Sequence, residues 1–343
     1  MILHYPESID LSKYGIRIPV AVDRAEAVLG DVLADPTIGG DSASWLLGPD
    51  GTEIGREDVL RVHAPAYVER AFGASVEELL LEVFELVNED GSYHRYDPAS
   101  ARRPLAELFT EWLRWMSGTH QAARVALDHG FCFYLGGGTH HGHYDFGHGF
   151  CILNDIVVSL RKLQAQGRIE RAWVVDIDAH KGDGTAALTA DDPTVSTLSV
   201  HMANAWPLDL PDRLPDGTTA PWRVPSTVDV PVAPGEEEEY LPRLRAALEQ
   251  LASTDADRPD VAYVVDGADP YELDELPSTQ DLRLSLEQLG ERDRMVYRFL
   301  EERGIPQAWL MSGGYGARAW EPFSQFLKWV LRERRRSAPQ RST

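Results

Sequence analysis

Two aspartates and one histidine stand where they could hold a single metal ion. Asp178 and His180 lie two residues apart in DIDAH, at the end of the apolar run RAWVVDID (171–178). Side chains two residues apart on an extended backbone point the same way. Asp269 ends a second apolar run, in DGADP, and could complete a set of three. One imidazole nitrogen and two carboxylate oxygens suit Zn²⁺ or another divalent transition metal, with a position left for water. The alternative for each aspartate is a helix or turn cap.

The stretch GGGTHHGHYDFGHGF (136–150) contains four histidines, of which His140 and His141 are adjacent. Adjacent side chains on a strand point to opposite faces. A pair that acts together is therefore expected on a loop, where the preceding glycines let the backbone turn. The stretch alone leaves metal binding, proton transfer and core packing open. His143, His148 and, further along, His201 are expected to support the site or lie at the surface rather than bind metal.

Short apolar runs alternate with helical patterns from residue 130 onward. Strands are predicted at 131–137, 171–178, 194–201, 260–269 and 306–314. Helices are predicted at 150–167, 236–252, 286–304 and 319–334, with two more within 99–130 and a long loop at 202–235. This alternation predicts a parallel sheet covered by helices on both faces. The strand ends carry glycine with His, Asp or Tyr, and ligands bind at the carboxyl ends of such strands.

Composition narrows the classes of partner. The 343 residues carry 33 basic and 55 acidic side chains, which gives a net charge of −22. This charge disfavours direct binding of nucleic acid and favours cationic partners. The alternative is that the charge serves only to keep the protein soluble. The sequence lacks the roughly 20-residue apolar run of a membrane helix. Its N-terminus lacks signal-peptide features. Cys132 and Cys151 both have apolar neighbours and are expected to be buried, inert thiols. A cytoplasmic location is therefore predicted.

The strings LGGGTHH, GFC, DIDAHKGDG, LSVH, GAD and SGGYG occur in this order between residues 130 and 320. In type, order and spacing they resemble the histone deacetylase family, which includes acetylpolyamine amidohydrolases and acetoin-utilisation proteins. SGGY and DAH are most similar to the class IV branch and its bacterial relatives. The resemblance implies the arginase/deacetylase fold, a three-layer α/β/α arrangement around a mostly parallel, eight-stranded sheet. We expect one domain over 1–343, with 1–129 as its N-terminal part and 335–343 as a flexible tail.

The resemblance also implies roles for individual residues. The three residues of the metal set become ligands of one Zn²⁺. The paired histidines lie beside the reacting water, two carboxylates orient them, and a tyrosine hydrogen-bonds the substrate carbonyl. These five residues are His140, His141, Asp176, Asp183 and Tyr315. Such an arrangement fits amide hydrolysis, which needs an activated water, a stabilised oxyanion and a protonated leaving amine.

Further positions are assigned by the same resemblance. The acyl tunnel is expected to involve Gly149, Phe150 and Trp206. A monovalent cation, K⁺, is expected near Asp176, Asp178, His180, Ser199 and Val200. Lys181 departs from the His or Gln of many relatives, Pro270 stiffens the loop after Asp269, and 207–230 has no counterpart in the family pattern. The acyl chain length, the amine carrier and the oligomeric state therefore stay open.

The implied activity is removal of an acetyl or other acyl group from an amine, such as acyl-lysine in a protein or peptide, or an acylated polyamine. One alternative is a binuclear-metal ureohydrolase on the same fold. Those enzymes resemble Asp-x-His-x-Asp, whereas here Gly182 occupies the last position and Asp183 comes one residue later. The histidine pair and Tyr315 also favour a single-metal deacylase. The other alternative is a non-catalytic acyl-lysine-binding protein, which would be expected to have lost one of these groups.

Overall fold

The computed structural model describes residues 1–6, 9–21, 23–88, 90–254 and 257–337. Its centre is one sheet in which every neighbouring pair of strands is parallel. The strands are β1 (Ile2–Leu3), β2 (Leu46–Leu47), β3 (Phe131–Tyr134), β4 (Ala172–Asp176), β5 (Val195–Met202), β6 (Val228–Val232), β7 (Val261–Asp266) and β8 (Gln307–Met311). Their order is β2-β1-β3-β8-β7-β4-β5-β6. The eight-stranded parallel sheet predicted above is confirmed.

Helices cover both faces of this sheet. The α-helices of the described part are α1 (Arg24–Leu33), α2 (Arg56–Val59), α3 (Pro65–Phe72), α4 (Val76–Val83), α5 (Glu107–His129), α6 (Asp155–Ala165), α7 (Asp183–Thr189), α8 (Tyr240–Thr254), α9 (Leu286–Glu302) and α10 (Glu321–Ser337). Short 3₁₀ helices lie at Leu11–Tyr14, Gly39–Ser44, Pro98–Ser100, Pro221–Arg223, Glu237–Glu239 and Pro277–Thr279. No helix among the described residues is long and apolar enough to cross a membrane.

Along each central strand, successive side chains pack alternately into two hydrophobic cores, one on each face of the sheet. Phe133 and Trp309 pack in the cluster formed with α1, α8, α9 and α10. Cys132 and Leu310, their neighbours along the strands, pack in the cluster formed with α5 and α6. This alternation follows from the two-residue period of a strand. It explains why the central strands are continuously apolar, since both of their faces are covered.

Several boundaries differ from the sequence predictions. Residues 107–129 form the single helix α5 rather than parts of two helices, and α5 ends at His129, followed by the C-cap Gly130, whose φ of 79° is left-handed. Helix α6 begins only at Asp155, because the Asn154 side chain accepts a hydrogen bond from the backbone of Val157 and caps the helix. Strand β6 lies inside the segment predicted as a loop. Its Pro231 is tolerated because β6 is an edge strand.

The last helix of the described part extends beyond its predicted end at residue 334. Helix α10 continues to Ser337, so residues 335–337 of the expected tail are helical, and 338–343 lie outside the described residues. Arg335 donates a hydrogen bond to the carbonyl of Ile38, which joins this helix end to the N-terminal part of the chain.

Both cysteines are buried with free thiols, and burial raises the pKa of Cys132 to about 12. Burial keeps the Cys132 thiol protonated and unreactive.

Candidate metal and acid–base site

The candidate site lies at the carboxyl ends of four adjacent strands, in the order β3, β8, β7 and β4. The loop after β3 carries the tandem histidines, and the loop after β8 carries Tyr315. The loops after β7 and β4 carry the predicted metal set. Parallel pairing places these strand ends at one edge of the sheet, so residues from distant parts of the chain converge there.

The three predicted metal residues come together in a buried cluster. The Nδ1 nitrogen of His180 lies 3.0 Å from Oδ2 of Asp269 and 3.3 Å from Oδ1 of Asp178. One potential ligand atom from each residue lies within 4.8 Å of the others. Backbone amides fix the outer oxygens of the carboxylates, with Gly313 donating to Asp178 and Ala179 donating to Asp269, both at 3.0 Å.

Two glycines make room for these carboxylates. A Cβ atom on Gly267 would lie 2.4 Å from Oδ2 of Asp178, and one on Gly313 would lie 2.5 Å from the same oxygen. Each would also approach Asp269 to 2.6 Å. Any side chain at these positions would therefore displace the metal set. This close packing gives a structural reason for the glycines in the motifs GAD and SGGYG.

The charges in the cluster suit a divalent cation. Burial, followed by the charge of Asp178, raises the pKa of Asp269 to about 7. Burial alone would raise the pKa of Asp178, but the charge of His140 and a hydrogen bond from His180 hold it well below its ordinary value. Although burial opposes it, hydrogen bonds to both carboxylates raise the pKa of His180 to about 10. The three side chains thus compete for a proton that a bound cation would replace. The donor set therefore fits Zn²⁺.

The tandem histidines each face a different carboxylate. Nδ1 of His140 lies 2.7 Å from Oδ2 of Asp176, and Nδ1 of His141 lies 2.6 Å from Oδ1 of Asp183. The two imidazole ring centres are 3.9 Å apart, and Nε2 of His140 lies 3.7 Å from Oδ1 of Asp178. The geometry thus joins all four predicted residues into two histidine–carboxylate pairs beside the metal set. A carboxylate on Nδ1 leaves Nε2 of the ring directed at the reaction site.

The two histidines differ in protonation. Burial disfavours the charged form of His140, but the carboxylates of Asp176 and Asp178 prevail and raise its pKa to about 9. Burial, together with the charge of His140, lowers the pKa of His141 to about 3. At neutral pH His141 is therefore uncharged, with its proton on the nitrogen that faces Asp183. Its Nε2 nitrogen then has a free lone pair, as a general base requires.

Asp183 also binds two other histidines. Its Oδ2 oxygen lies 3.0 Å from Nε2 of His143 and 2.9 Å from Nε2 of His148. Both residues therefore contact the carboxylate that faces His141, and it stays a prediction that they support the site or lie at the surface rather than bind metal. His201 instead lies beside Ser199, with its Nδ1 nitrogen 3.1 Å from the serine hydroxyl. The assignment of K⁺ to Ser199 and the neighbouring backbone stays a prediction.

Tyr315 is half-buried in the wall of the cavity that also contains Asp178 and His180. Its backbone amide donates to Oδ2 of Asp274 at 2.7 Å. Burial and the nearby charge of Asp269 raise the pKa of Tyr315 well above its ordinary value. The hydroxyl therefore stays protonated and can donate a hydrogen bond.

This cavity has a volume of about 160 Å³ and a largely apolar wall. Gly149 and Phe150 line it. The ring of Phe150 stacks on that of Phe84, with the ring centres 6.2 Å apart. The backbone of Phe150 has a left-handed φ of 65°. Trp206 does not line the cavity as an opposite wall. Its ring instead packs edge-on against His141 at 4.7 Å, and a Cβ on Gly149 would lie 2.3 Å from it. Trp206 therefore brings the long loop into contact with the acid–base pair.

Two further residues, Asp155 and Lys181, make buried contacts beside the site that the sequence does not predict. Asp155 accepts backbone hydrogen bonds from Gly138 and Thr139 and so fixes the loop before the histidine pair. The only local signal for this role is the Asn-Asp pair before an apolar helix. Lys181, the departure noted above, is buried and pairs with Asp229 at 3.1 Å, so its charge is compensated within the protein.

Arg292 connects the two loops that carry the metal residues. Its guanidinium, fully buried in α9, donates to the carbonyls of Ile177 at 2.9 Å and Gly267 at 2.8 Å. It also donates to Asp266 at 2.6 Å. In the sequence, ERDR within an amphipathic helix is typical of exposed charges. Only the packing of α9 against the strand ends shows that Arg292 is internal.

Comparison with known proteins agrees with this geometry. The family model for the histone deacetylase domain matches residues 19–329. An uncharacterized protein of Picosynechococcus sp. is 35% identical over 205 residues, which are 58% of this chain and 61% of that protein. Histone deacetylase 2 of Arabidopsis thaliana is 32% identical over 203 residues, which are 58% of this chain and 48% of that protein. The chain thus matches about half to three-fifths of the length of these relatives.

The crystal structure of a histone deacetylase homologue from Aquifex aeolicus supports the fold. It superimposes with a TM-score of 0.63 at 21% identity, covering 96% of this chain and 82% of that one. The match of the family model over most of the sequence establishes the family, and the shared fold agrees with it. The chain belongs to the histone deacetylase family.

Proposed function

We propose that the protein is a zinc-dependent amidohydrolase that removes an acyl group from an amine. The observation that carries this proposal is the convergence of three kinds of group on one cavity. These are Asp178 and His180 of the metal set, the imidazole of His141 and the hydroxyl of Tyr315. Amide hydrolysis needs a polarised carbonyl, a base for the water and a donor for the oxyanion, and the cavity wall presents a group for each.

The residues of the chain then have distinct tasks. Asp178, His180 and Asp269 hold the Zn²⁺, which supplies Lewis-acid chemistry when bound. His141 accepts the proton of the attacking water at its Nε2 nitrogen. Its Nδ1 nitrogen keeps a second proton throughout, because that proton is hydrogen-bonded to the carboxylate of Asp183. The histidine pair then returns a proton to the leaving amine. Tyr315 donates to the oxygen of the former carbonyl as its negative charge develops.

The substrate is an acylated amine, either acyl-lysine in a protein or peptide or an acylated polyamine. The net charge of −22 favours a carrier that is itself cationic. The apolar wall around Phe150 and Phe84 favours the acyl end of such a molecule. Direct binding of nucleic acid is not part of the proposal, since the same charge opposes it. The proposal also includes a K⁺ ion bound near Ser199, with a structural rather than a catalytic role.

The decisive experiment is a hydrolysis screen with the zinc-loaded protein. Fluorogenic acyl-lysine peptides and acylated polyamines are tested across acyl lengths, and the release of free amine is measured. Asp178→Asn should abolish turnover, whereas the exposed control Asp209→Asn should retain it. If the protein binds acyl-lysine but hydrolyses none of the tested substrates, the result would instead support the non-catalytic alternative.

The ureohydrolase alternative makes a different prediction about metal. A binuclear site would require a second set of ligands, and His141, His148 and Asp183 lie close enough to form one, but here both oxygens of Asp183 are hydrogen-bonded to histidines. Release of urea from a guanidino substrate, with two metal ions required per chain, would favour that alternative over the deacylase.

A further inference from the structure

We propose that His143 and His148 are positioning residues, which lock the carboxylate of Asp183 so that it holds His141 in its basic tautomer. This inference rests on the proposed function, because it assigns these histidines a task in deacylation. The observation behind it is that three histidines share one fully buried carboxylate. Oδ1 binds His141, whereas Oδ2 binds both His143 and His148.

The hydrogen-bond pattern restricts the orientation of Asp183. A carboxylate that is bonded through only one oxygen can rotate about its Cβ–Cγ bond. Asp183 is bonded through both oxygens, and rotation would break the contacts of 2.6, 2.9 and 3.0 Å together. For both bonds to Oδ2 to form, His143 and His148 must carry protons on Nε2. The orientation of Asp183 therefore fixes the ring and the tautomer of His141.

The two supporting histidines are themselves held by the loop that follows the tandem pair. The ring of His143 stacks on Phe146 at 4.4 Å with an interplanar angle of 10°, and its carbonyl accepts a hydrogen bond from His63 at 2.7 Å. The carbonyl of His148 accepts a hydrogen bond from Cys151 at 2.8 Å. These contacts hold the loop behind Asp183 in one conformation, as a preorganised site requires.

His148 also contacts Trp206, at a ring distance of 4.9 Å, and Trp206 packs on His141. Two kinds of contact therefore connect His148 to the general base. One is the hydrogen bond through Asp183, and the other is made by the ring of His148, through Trp206 and directly with the ring of His141 at 5.7 Å. A substitution that retains the hydrogen-bond donor but loses the aromatic ring separates them. His148→Gln is such a substitution, and His148→Leu removes both features. The side chain of His148 is 15% exposed, so both variants are expected to fold.

The test compares these variants with the zinc-loaded wild type. His148→Leu should lower kcat by about 10- to 100-fold, the usual loss when such a supporting partner is removed, with KM within about twofold and zinc content unchanged. His148→Gln should restore most of kcat. His94→Leu is the matched control, because His94 is an exposed histidine outside the site. Failure of the glutamine variant to recover would show that the ring contact matters and would overturn the proposal.

A second readout does not depend on any substrate. The Nδ1–H proton of His141 should give a slowly exchanging, ¹⁵N-coupled NMR signal in the wild type and His148→Gln, and a rapidly exchanging one in His148→Leu. An unchanged signal in His148→Leu would contradict the positioning role even if kcat fell. Two metal ions in the wild type and one in His148→Leu would also overturn it, since His148 would then be a ligand. If the wild type hydrolyses no acylated amine, the proposed function fails, but the NMR comparison still tests the positioning of His141.

Discussion

The Nδ1 nitrogen of His180 lies 3.0 Å from Oδ2 of Asp269, although 89 residues separate them in the chain. The contact joins the ends of β4 and β7, which are adjacent in the sheet. Such proximity of an imidazole to a buried carboxylate is the geometry in which a metal ion and a proton compete for the same place. Metal content is therefore the most direct property to measure.

We expect the purified protein to hold about one divalent metal ion per chain, preferably zinc. Removal of the metal by a chelator should abolish hydrolysis, and added Zn²⁺ should restore it. Asp269→Asn should lower the metal content measured by elemental analysis, because it removes one of the two anionic ligands. Two metal ions per chain, both needed for turnover, would contradict the single-metal assignment.

His141→Ala should lower kcat by about 10²- to 10⁴-fold, the usual contribution of a general base. The metal set makes its contacts without His141, so zinc content should stay at the wild-type level. Single-turnover kinetics and elemental analysis on the same sample would test both statements. Loss of zinc in this variant would identify His141 as a ligand instead.

Tyr315→Phe should lower turnover by about 10²- to 10³-fold, the usual effect of removing one oxyanion donor. The side chain is half-buried in a cavity wall, and its backbone rather than its hydroxyl bonds Asp274. The melting temperature should therefore change little. Activity within roughly threefold of wild type would exclude the oxyanion role, and a large fall in melting temperature would point to a structural hydroxyl.

Arg292→Met should lower the free energy of unfolding by about 3–5 kcal/mol, because it leaves the buried carboxylates of Asp266 and Asp293 without their cation. The control is Arg168→Met, which removes the exposed ion pair to Asp128 and should cost at most about 1 kcal/mol. Denaturant unfolding of both variants gives the comparison. Equal losses would mean that the internal charge network contributes no more than a surface pair.

Acid should destabilise the protein partly through His63. Burial lowers its folded-state pKa from 6.5 to about 4, so the unfolded chain takes up the proton first as the pH falls. The stabilisation is present above pH 6.5 and is lost between 6.5 and about 4, by on the order of 3 kcal/mol. We expect wild type to lose more unfolding free energy than His63→Gln between pH 7.5 and 4.5. The exposed control His94→Gln should behave like wild type, and equal losses in His63→Gln would contradict the assignment.

The sequence by itself determined the central strands and the residues that end them. Continuous apolar runs followed by glycine and His, Asp or Tyr indicated β3, β4, β5, β7 and β8, because a strand covered on both faces must be apolar throughout. The same local pattern was sufficient to select Asp178, His180 and Asp269 as a metal set. The strands β1 and β2, with two residues each, are too short to show any period and escaped prediction.

Only the tertiary structure decided how the supporting groups are shared. The attachment of His143 and His148 to Asp183, and of Arg292 to the carbonyls of Ile177 and Gly267, joins segments that are 25 to 115 residues apart. No local spacing encodes such contacts, since they depend on which strand ends become neighbours in the sheet and on how α9 packs against them. A charged side chain in a helix has the same sequence signature whether it faces water or a buried carboxylate, and burial alone distinguishes the two.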